Sequence, residues 1–447
     1  MLMEKKKTLR RADFNLIRSN AAGIDIASEV HYVAVPEDRD VQCVRKFGSF
    51  TEDIHLMARW LKQCNIDTIA MESTGIYWVQ PYLILEEYGF NVCLVNARHV
   101  KNVSGRKSDV QDCQWIQQLH SYGLLNPSFQ PENLIRELRA YMRHRKHLTQ
   151  STANQVLHMQ KAFELMNIKL HDVISDITGK SGSQMIQAIL KGEQDAIKLA
   201  QLANGRIIAT QEQIAKSLTG VWREEYLFEL KHAFELYQYL GTLIADCDVQ
   251  IKKVMSRLAI EGHNKNIERH KRPTKNSFHF DGTMHLVQIL GIDLTKIYGI
   301  NELTATEIIS ETGTNMAKWP TEKHFVSWLN LAPNNRASGG KMLKPRKSNK
   351  KNKAGQAFML AAATLKNSEH WLGHFYRRIK ARSGAAIAIK ATARKIALIF
   401  YKMLKNGIEF NPIPIETYNQ YFKERRMKSL EKQALAFGYK IVPESVS

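Results

Sequence analysis

A helix is predicted to begin inside the stretch Gly105-Arg106-Lys107-Ser108-Asp109-Val110-Gln111-Asp112-Cys113-Gln114-Trp115. Residues three apart share one helix face, so the Asp109 and Asp112 carboxylates converge on one point. Two like charges this close repel each other, and either neighbouring cations or a bound divalent metal can balance them. A surface helix often carries two aspartates without any function. The stretch therefore gains meaning only if the upstream chain adds further carboxylates.

The chain before this stretch alternates between predicted strands and helices. Strands are expected at residues 21–28, 31–35, 44–50, 67–72 and 91–95, and helices at 54–61 and 75–88. Three strands followed by alternating helices and strands predict a mixed sheet covered by helices. In such a sheet the first and fourth strands can lie side by side.

Two further carboxylates belong to these two strands. Asp25 interrupts the apolar run of the first strand, and Glu72 ends the fourth. A charge in such a run is costly unless it is paired or binds a metal. Asp25 has the alternative of a turn residue, which the flanking isoleucines make less favourable. Glu72 has the alternative of capping the next helix through the turn at residues 73–75.

Size and charge restrict the class of protein. The 447 residues, 44% of them hydrophobic, suffice for two or three domains with cores. A net charge of +21 favours an extended polyanion as partner, with nucleic acid ahead of an anionic membrane surface. No apolar run is long enough to span a bilayer, so we expect a soluble, cytoplasmic, nucleoid-associated protein. Five scattered cysteines support neither a disulfide framework nor a zinc ribbon.

The middle of the chain is predicted to contain two long helices. The first opens at Pro131 and carries Arg139, Arg143, Arg145 and Lys146 with few acids nearby, which favours nucleic-acid phosphates over an ordinary solvated face. In the second, apolar residues recur at spacings of four and three from position 226 to 258. This repeat predicts either a self-associating coiled coil or a helix packed on its own chain. Residues 168–220 show no recognisable chemistry.

The last part of the chain combines a glycine turn, an accessible serine and many cations. The turn Ile297-Tyr298-Gly299-Ile300 resembles a helix-hairpin-helix that contacts DNA through its amides, or it serves only helix packing. Ser338 precedes two glycines and is either a phosphate-attacking nucleophile or a simple turn residue. The cations around it are expected to bind DNA or RNA in either case; they are Arg336, Lys341, Lys344, Arg346, Lys347, Lys350 and Lys351.

These motifs together resemble a known family. The order of strands and helices is similar to the ribonuclease H-like fold, and Asp25, Glu72, Asp109 and Asp112 resemble the acidic tetrad of RuvC-like Holliday-junction resolvases. With residues 328–333 and Ser338-Gly339-Gly340-Lys341, the chain is similar to the one-ten family of DEDD-type insertion-sequence transposases. The resemblance covers about residues 20–165 and 285–405.

The resemblance implies an α/β plus α architecture. A basic tail, residues 1–19, precedes a ribonuclease H-like (RuvC-like) mixed-sheet catalytic domain at 20–130. A helical and coiled-coil region with a linker follows at 131–276. A mainly helical C-terminal transposase domain is expected at 277–408, and a C-terminal tail at 409–447.

The resemblance also implies a function. The four carboxylates would hold Mg²⁺, two ions in all, and Ser338 would attack the scissile phosphate and form a 5′-phosphoserine link. The expected partners are element-end and target DNA, a structured noncoding guide RNA and further copies of the chain in a dimer or tetramer, without a membrane. Two alternatives stay open: a RuvC-like endonuclease that uses activated water, and a non-catalytic nucleic-acid-binding scaffold.

Overall fold

The computed structural model describes residues 16–96, 109–263, 274–333, 336–339, 341–343 and 352–442. The chain divides into two compact units, Met1–Gln130 and Pro131–Ser447. No helix within the described ranges is both long enough and apolar enough to cross a membrane.

The first unit is built on a mixed five-stranded sheet. The strands follow the order β3-β2-β1-β4-β5, in which β1 pairs antiparallel with β2 and parallel with β4. The predicted order of elements is therefore confirmed, as is the contact between the first and fourth strands. The elements are β1 Ala21–Ile26, β2 Val30–Ala34, β3 Val44–Gly48, α1 Thr51–Gln63, β4 Thr68–Glu72, α2 Val79–Glu87, β5 Asn91–Val95 and α3 Asp109–Ser121.

Helices cover both faces of this sheet. Side chains alternate between the two faces along each strand, so each strand contacts helices on both sides. Ile24 and Met71 are buried in the same cluster as Met57 of α1 and Leu85 of α2. Ala70, on the opposite face, is buried with residues of α3 such as Ile116. Gly23 of β1 pairs with Ala70 and lies on the same face. Every second residue from Ala70 along β4, and from Gly23 along β1, therefore faces α3.

The second unit is mainly helical. Its elements are α4 Asn133–Leu165, α5 Leu170–Val173, α6 Lys180–Leu190, α7 Ala196–Gln201, α8 Gln211–Leu218, α9 Glu224–Leu258, α10 Gly282–Leu290, α11 Glu302–Thr312, α12 Glu322–Trp328, β6 Arg336–Ser338, β7 Lys341–Leu343, α13 Lys353–Thr364, α14 Trp371–Ser383, α15 Ala385–Asn406 and α16 Ile415–Ala436. Helix α16, which lies in the segment expected to be a tail, has no buried residue.

The two long helices α4 and α9 pack on each other within the chain. Arg257 pairs with Glu137 near one end, and Leu230 shares a core cluster with Phe163 near the other, so the helices are antiparallel. Of the two alternatives for the apolar repeat, the structure has the helix packed on its own chain. Self-association through α9 stays a prediction.

Residues 168–220, which carry no recognisable motif, fold into a small helical core. Ile186 of α6 and Leu218 of α8 are buried together with Met166 and Phe234, which lie at or near the ends of the long helices. The segment thus caps this end of the helix pair.

The C-terminal helices pack around aromatic rings. Phe325, Phe358 and Phe400 are fully buried, and the rings of Phe358 and Phe400 meet edge-on with centroids 5.2 Å apart. Gly299, in the predicted helix-hairpin-helix turn, has φ of +85°, and a Cβ there would lie 2.6 Å from the Ala361 carbonyl oxygen. This glycine therefore has a packing role, and DNA contact by the turn stays a prediction.

Candidate active site

Helix α3 runs along β1 in the opposite direction. The Gln117 side-chain amide donates to the Ala21 carbonyl oxygen (3.3 Å), and Gly23 lies against Cys113 and Gln117, so closely that a Cβ would fall 2.4 Å from the Cys113 oxygen. Along this contact, residue numbers in α3 increase in the direction in which residue numbers in β1 decrease. The N-terminal turn of α3, which carries Asp109 and Asp112, therefore points toward the Asp25 end of β1.

The pairing of β1 with β4 brings Glu72 to the same end. Ile24 pairs with Met71 in parallel register, so the next step along both strands sets Asp25 beside Glu72. Because Gly23 faces α3, Asp25 two residues later faces α3 as well. The four carboxylates thus approach one end of one sheet face.

The structure excludes a turn position for Asp25 and a capping role for Glu72. Asp25 lies inside β1 opposite Tyr32 of β2, so it is not a turn residue. Glu72 is buried, with 9% of its surface exposed, and its Oε1 accepts a hydrogen bond from Thr74 Oγ1 (3.0 Å). Glu72 does not cap α2, because that helix begins only at Val79 and has no side-chain cap.

Cys113 reports the electrostatics at the base of this site. Burial, with smaller contributions from the carboxylates of Asp25 and Asp112, raises the pKa of its thiol to about 12. Both charges therefore act on the same sulfur atom, which agrees with the approach of α3 to β1. A thiol with this pKa stays protonated and is not a nucleophile.

The carboxylates are not gathered at coordination spacing in this structure. Within the parts of the chain that the structure describes, one group of three ligand-type side chains lies within 4.8 Å, namely Glu164, His171 and Asp172. Asp25, Glu72, Asp109 and Asp112 contain no such trio. Their donor atoms are all carboxylate oxygens, which fit a hard divalent cation such as Mg²⁺.

The Glu164 trio, which the sequence did not reveal, lies next to a cation of the same chain. His171 Nε2 lies 2.9 Å from Glu164 Oε1, and the Lys169 ammonium pairs with the same carboxylate. Lys169 thus supplies positive charge to the Glu164 carboxylate.

A buried histidine lies between the sheet and α3. His120 accepts a hydrogen bond at Nδ1 from Arg18, which can only donate, so its Nε2 carries the proton and donates to Thr68 Oγ1 (2.9 Å). Burial, and secondarily the Arg18 charge, lowers the pKa of His120 to about 4. This histidine is therefore neutral at physiological pH and joins α3 to β4.

Ser338 belongs to the second unit. Arg336–Ser338 and Lys341–Leu343 form an antiparallel hairpin in which Ser338 pairs with Lys341, and Gly339 in the turn has φ of +57°. The serine thus ends a short strand instead of lying in an irregular loop, because adjacent glycines permit a tight turn. The other predicted cations of this region, Lys344, Arg346, Lys347, Lys350 and Lys351, lie outside the described residues.

Asn352, which was not among the predicted site residues, joins the two ends of the segment that carries Ser338. Its Nδ2 donates to the Trp328 carbonyl oxygen (3.0 Å), and its Oδ1 accepts from the Gly355 amide (2.8 Å). One side chain therefore joins the end of α12 to the start of α13. An asparagine directly before a predicted helix is an N-cap signal, but its second partner has no signature in the sequence.

The basic face of α4 is occupied by acids from elsewhere in the chain. Both oxygens of Glu311 accept hydrogen bonds of 2.8 Å from Arg143, and Arg139 donates to the carbonyl of Ser310 (3.0 Å). Lys146 pairs with Glu307. Burial lowers the pKa of Arg139 to about 10, against the opposing effect of Glu311. These cations connect α4 to α11.

Arg145 corrects a prediction. It is 3% exposed and bonds Asp248, which is 1% exposed, through an Nε–Oδ1 contact of 2.5 Å. Its Nη2 also donates to the Ser277 carbonyl (3.1 Å), and His279 Nδ1 lies 2.6 Å from the other Asp248 oxygen. A phosphate cannot reach this guanidinium without breaking the network, so Arg145 holds the helix pair to residues 276–279.

Comparison with known proteins assigns the family. Residues 22–168 match the model of the DEDD transposase of the IS110 type, and residues 293–377 match the model described as transposase IS116/IS110/IS902 family. The two matches follow each other as the motifs predict and together cover about half of the chain. No curated protein matches it. The chain belongs to the IS110 family of transposases, enzymes that act on DNA.

Proposed function

We propose that this transposase cuts and rejoins DNA strands at the carboxylate site of its first unit, with Ser338 as the nucleophile and a structured noncoding RNA as the guide. The observation that carries the proposal is the approach of Asp25, Glu72 and the first turn of α3 to one end of one sheet face. The strand order β3-β2-β1-β4-β5 supports a ribonuclease H-like, RuvC-like fold for this unit.

Asp25, Glu72, Asp109 and Asp112 would hold two Mg²⁺ ions, which would neutralise charge on the scissile phosphate and its departing oxygen. The chain prepares the site in three ways. Pairing with Tyr32 of β2 fixes Asp25 in the sheet, Thr74 orients the Glu72 carboxylate, and Gly23 lets α3 approach β1.

The proposed chemical step is a transesterification. As the Ser338 Oγ–phosphorus bond forms, the bond from phosphorus to the 3′ oxygen breaks; the serine loses one proton and the 3′ oxygen gains one. The 5′-phosphoserine link conserves the energy of the phosphodiester. Attack by the 3′-hydroxyl of another strand reverses the step, so rejoining requires no external energy source.

Charge and family resemblance support the proposed partners. The net charge of +21 and the cations of residues 341–351 favour long polyanions, which include both DNA and a guide RNA. The resemblance further implies a homo-oligomer, a dimer or tetramer, in which the serine of one subunit completes the carboxylate site of another.

A covalent adduct tests this proposal. The full chain with its co-purifying RNA is incubated with Mg²⁺ and labelled element-end and target DNA, then denatured and run on a gel. We expect a labelled band at the mass of the protein that Ser338→Ala abolishes while RNA binding is retained. Ser256→Ala is the matched control, because this exposed serine donates a hydrogen bond to the Lys252 carbonyl oxygen of its own helix (3.0 Å).

Each other outcome selects a different function. Nicked DNA without an adduct indicates an endonuclease that activates water. Full strand exchange by Ser338→Ala excludes the serine nucleophile. Strand cleavage that Asp25→Ala leaves unchanged excludes the carboxylate site, and no cleavage with the correct RNA present indicates a binding scaffold.

A further inference from the structure

We propose that Ile76 and Tyr77 form a nucleobase-binding surface beside the carboxylate site and contact a base next to the scissile phosphate. This inference rests on the proposed function, because its ligand is the DNA that reaches Glu72.

The two side chains are exposed where the chain leaves the candidate site. Ile76 is 78% exposed and Tyr77 is 47% exposed, and both follow Glu72 within five residues. Val110, between the two aspartates in the first turn of α3, is 40% exposed. Scattered apolar residues on a surface need no explanation, but apolar residues that adjoin a polar reaction site indicate a ligand-contacting surface.

The loop that presents these side chains is bonded to β5 at its start, forms a turn before α2, and packs on the core through Trp78. The Ser73 amide donates to the Val95 carbonyl oxygen (2.9 Å), and the Val79 amide donates to the Ile76 carbonyl oxygen (3.1 Å). Trp78 packs edge-on against Tyr82, with ring centroids 5.7 Å apart, and joins the core of the unit. Trp78 therefore attaches the loop to the core, whereas Ile76 and Tyr77 stay exposed.

The direction of Tyr77 is also defined. Gly75 has φ of +54°, and a Cβ there would lie 3.4 Å from two ring atoms of Tyr77, so the ring lies over the glycine. Thr74, directly before Gly75, donates a hydrogen bond from its Oγ1 to the Glu72 carboxylate (3.0 Å). The aromatic ring and the candidate metal ligand thus belong to one hydrogen-bonded turn.

A nucleobase fits this surface better than a phosphate or a permanent protein partner. The carboxylates attract a phosphate only through a bound metal ion and provide no contact for the bases, so an uncharged surface beside them would help to hold the DNA. Stacking on an aromatic ring and contact with an aliphatic side chain provide it, since every base has an apolar face. A protein that permanently covered Tyr77 would also obstruct the approach of DNA to Glu72.

Photo-crosslinking tests the inference. The probe is element-end DNA with 5-iododeoxyuridine on either side of the mapped cleavage position, bound to the full chain and its co-purifying RNA with Ca²⁺ in place of Mg²⁺. We expect the cross-linked base on the peptide that contains Tyr77. Cleavage rates in Mg²⁺ should fall by about tenfold or more for Tyr77→Ala and Ile76→Ala, and Tyr77→Phe should restore most of the rate.

Controls separate this inference from folding and from the proposed function. Tyr239→Ala removes a tyrosine that is 59% exposed on α9 and should leave both readouts unchanged. Asp25→Asn should lose cleavage but keep the cross-link. If Asp25→Asn still cleaves, the proposed catalytic site is wrong, whereas a retained cross-link at Tyr77 still supports the base contact.

Two results would overturn the inference. One is a cross-link on another peptide together with wild-type cleavage by Tyr77→Ala. The other is a change of oligomer mass in Tyr77→Ala without loss of the cross-link, which would assign the surface to a second copy of the chain.

Discussion

Gly23 determines how closely α3 can approach β1. The position of a Cβ at this residue lies 2.3 Å from the Gln117 amide nitrogen and 2.4 Å from the Cys113 carbonyl oxygen, and both are backbone atoms of the helix. A side chain at this position cannot be accommodated by rotating a neighbour. The whole helix must shift, and with it the turn that carries Asp109 and Asp112.

We therefore expect Gly23→Ala to destabilise the first unit by about 1–3 kcal/mol, the usual cost of overpacking, and to lower DNA cleavage more than DNA binding. Amide hydrogen exchange in α3 measures the first effect and strand cleavage the second. Gly241→Ala is the matched control. Gly241 lies on α9, and a Cβ there meets no atom of the described residues within 4 Å outside the adjacent helix backbone, so the change should stabilise the helix by about 0.5–1 kcal/mol. Unchanged exchange in α3 of the Gly23 variant would contradict the prediction.

At the scale of elements, local patterns predicted the sheet well. The apolar runs around Asp25 and Glu72 identify two strands, and the order of elements along the chain places those strands side by side. The approach of Asp25 to Glu72 followed from the same two facts. The hairpin at Ser338 was less predictable, because three-residue strands carry too little alternation to be recognised.

Helix α4 shows where local patterns fail. Few acids lie near its cations in the sequence, so the positive charge of the helix appears uncompensated. Its partners Glu307, Glu311 and Asp248 belong to helices more than a hundred residues away. No window of sequence contains both partners of these pairs. The excess charge of one helix therefore predicts a need for anions without saying whether nucleic acid or the chain itself supplies them.

The buried pair Arg145–Asp248 is expected to stabilise the second unit. Replacing one partner of a buried ion pair leaves the other charge uncompensated, so Arg145→Met should destabilise the second unit by about 3–5 kcal/mol. Lys231→Ala is the control: its pair with Glu235 is exposed on α9, at 3.9 Å, and should contribute less than about 0.5 kcal/mol. Urea denaturation followed by hydrogen exchange in α4 and α9 measures both. A loss for Arg145→Met no larger than for Lys231→Ala would contradict a structural role.

Across the whole molecule, 64 lysines and arginines face 43 aspartates and glutamates, and these cations divide into those with internal partners and those without assigned ones. Arg139, Arg143 and Lys146 pair with acids of the second unit and neutralise part of the positive charge internally. Residues 341–351 contain six lysines or arginines and no acid, so they contribute strongly to the remaining excess. The chain should therefore bind nucleic acid chiefly through this segment rather than through α4.

Salt dependence distinguishes these two sets of cations. Each phosphate contact to duplex DNA releases counterions and adds about 0.9 to the slope of log K against log salt. We expect Lys344→Ala, Arg346→Ala and Lys347→Ala each to lower this slope by about that amount, because a lost phosphate contact releases fewer ions. Lys231→Ala should leave the slope unchanged, and so should Arg143→Ala wherever the protein stays folded, since Glu311 already holds that guanidinium. Binding titrations at several salt concentrations measure all of these slopes.

A reduced slope for Arg143→Ala, with an unchanged slope for the segment variants, would contradict the prediction. It would assign the DNA contact to α4 and would mean that its ion pairs open when DNA binds.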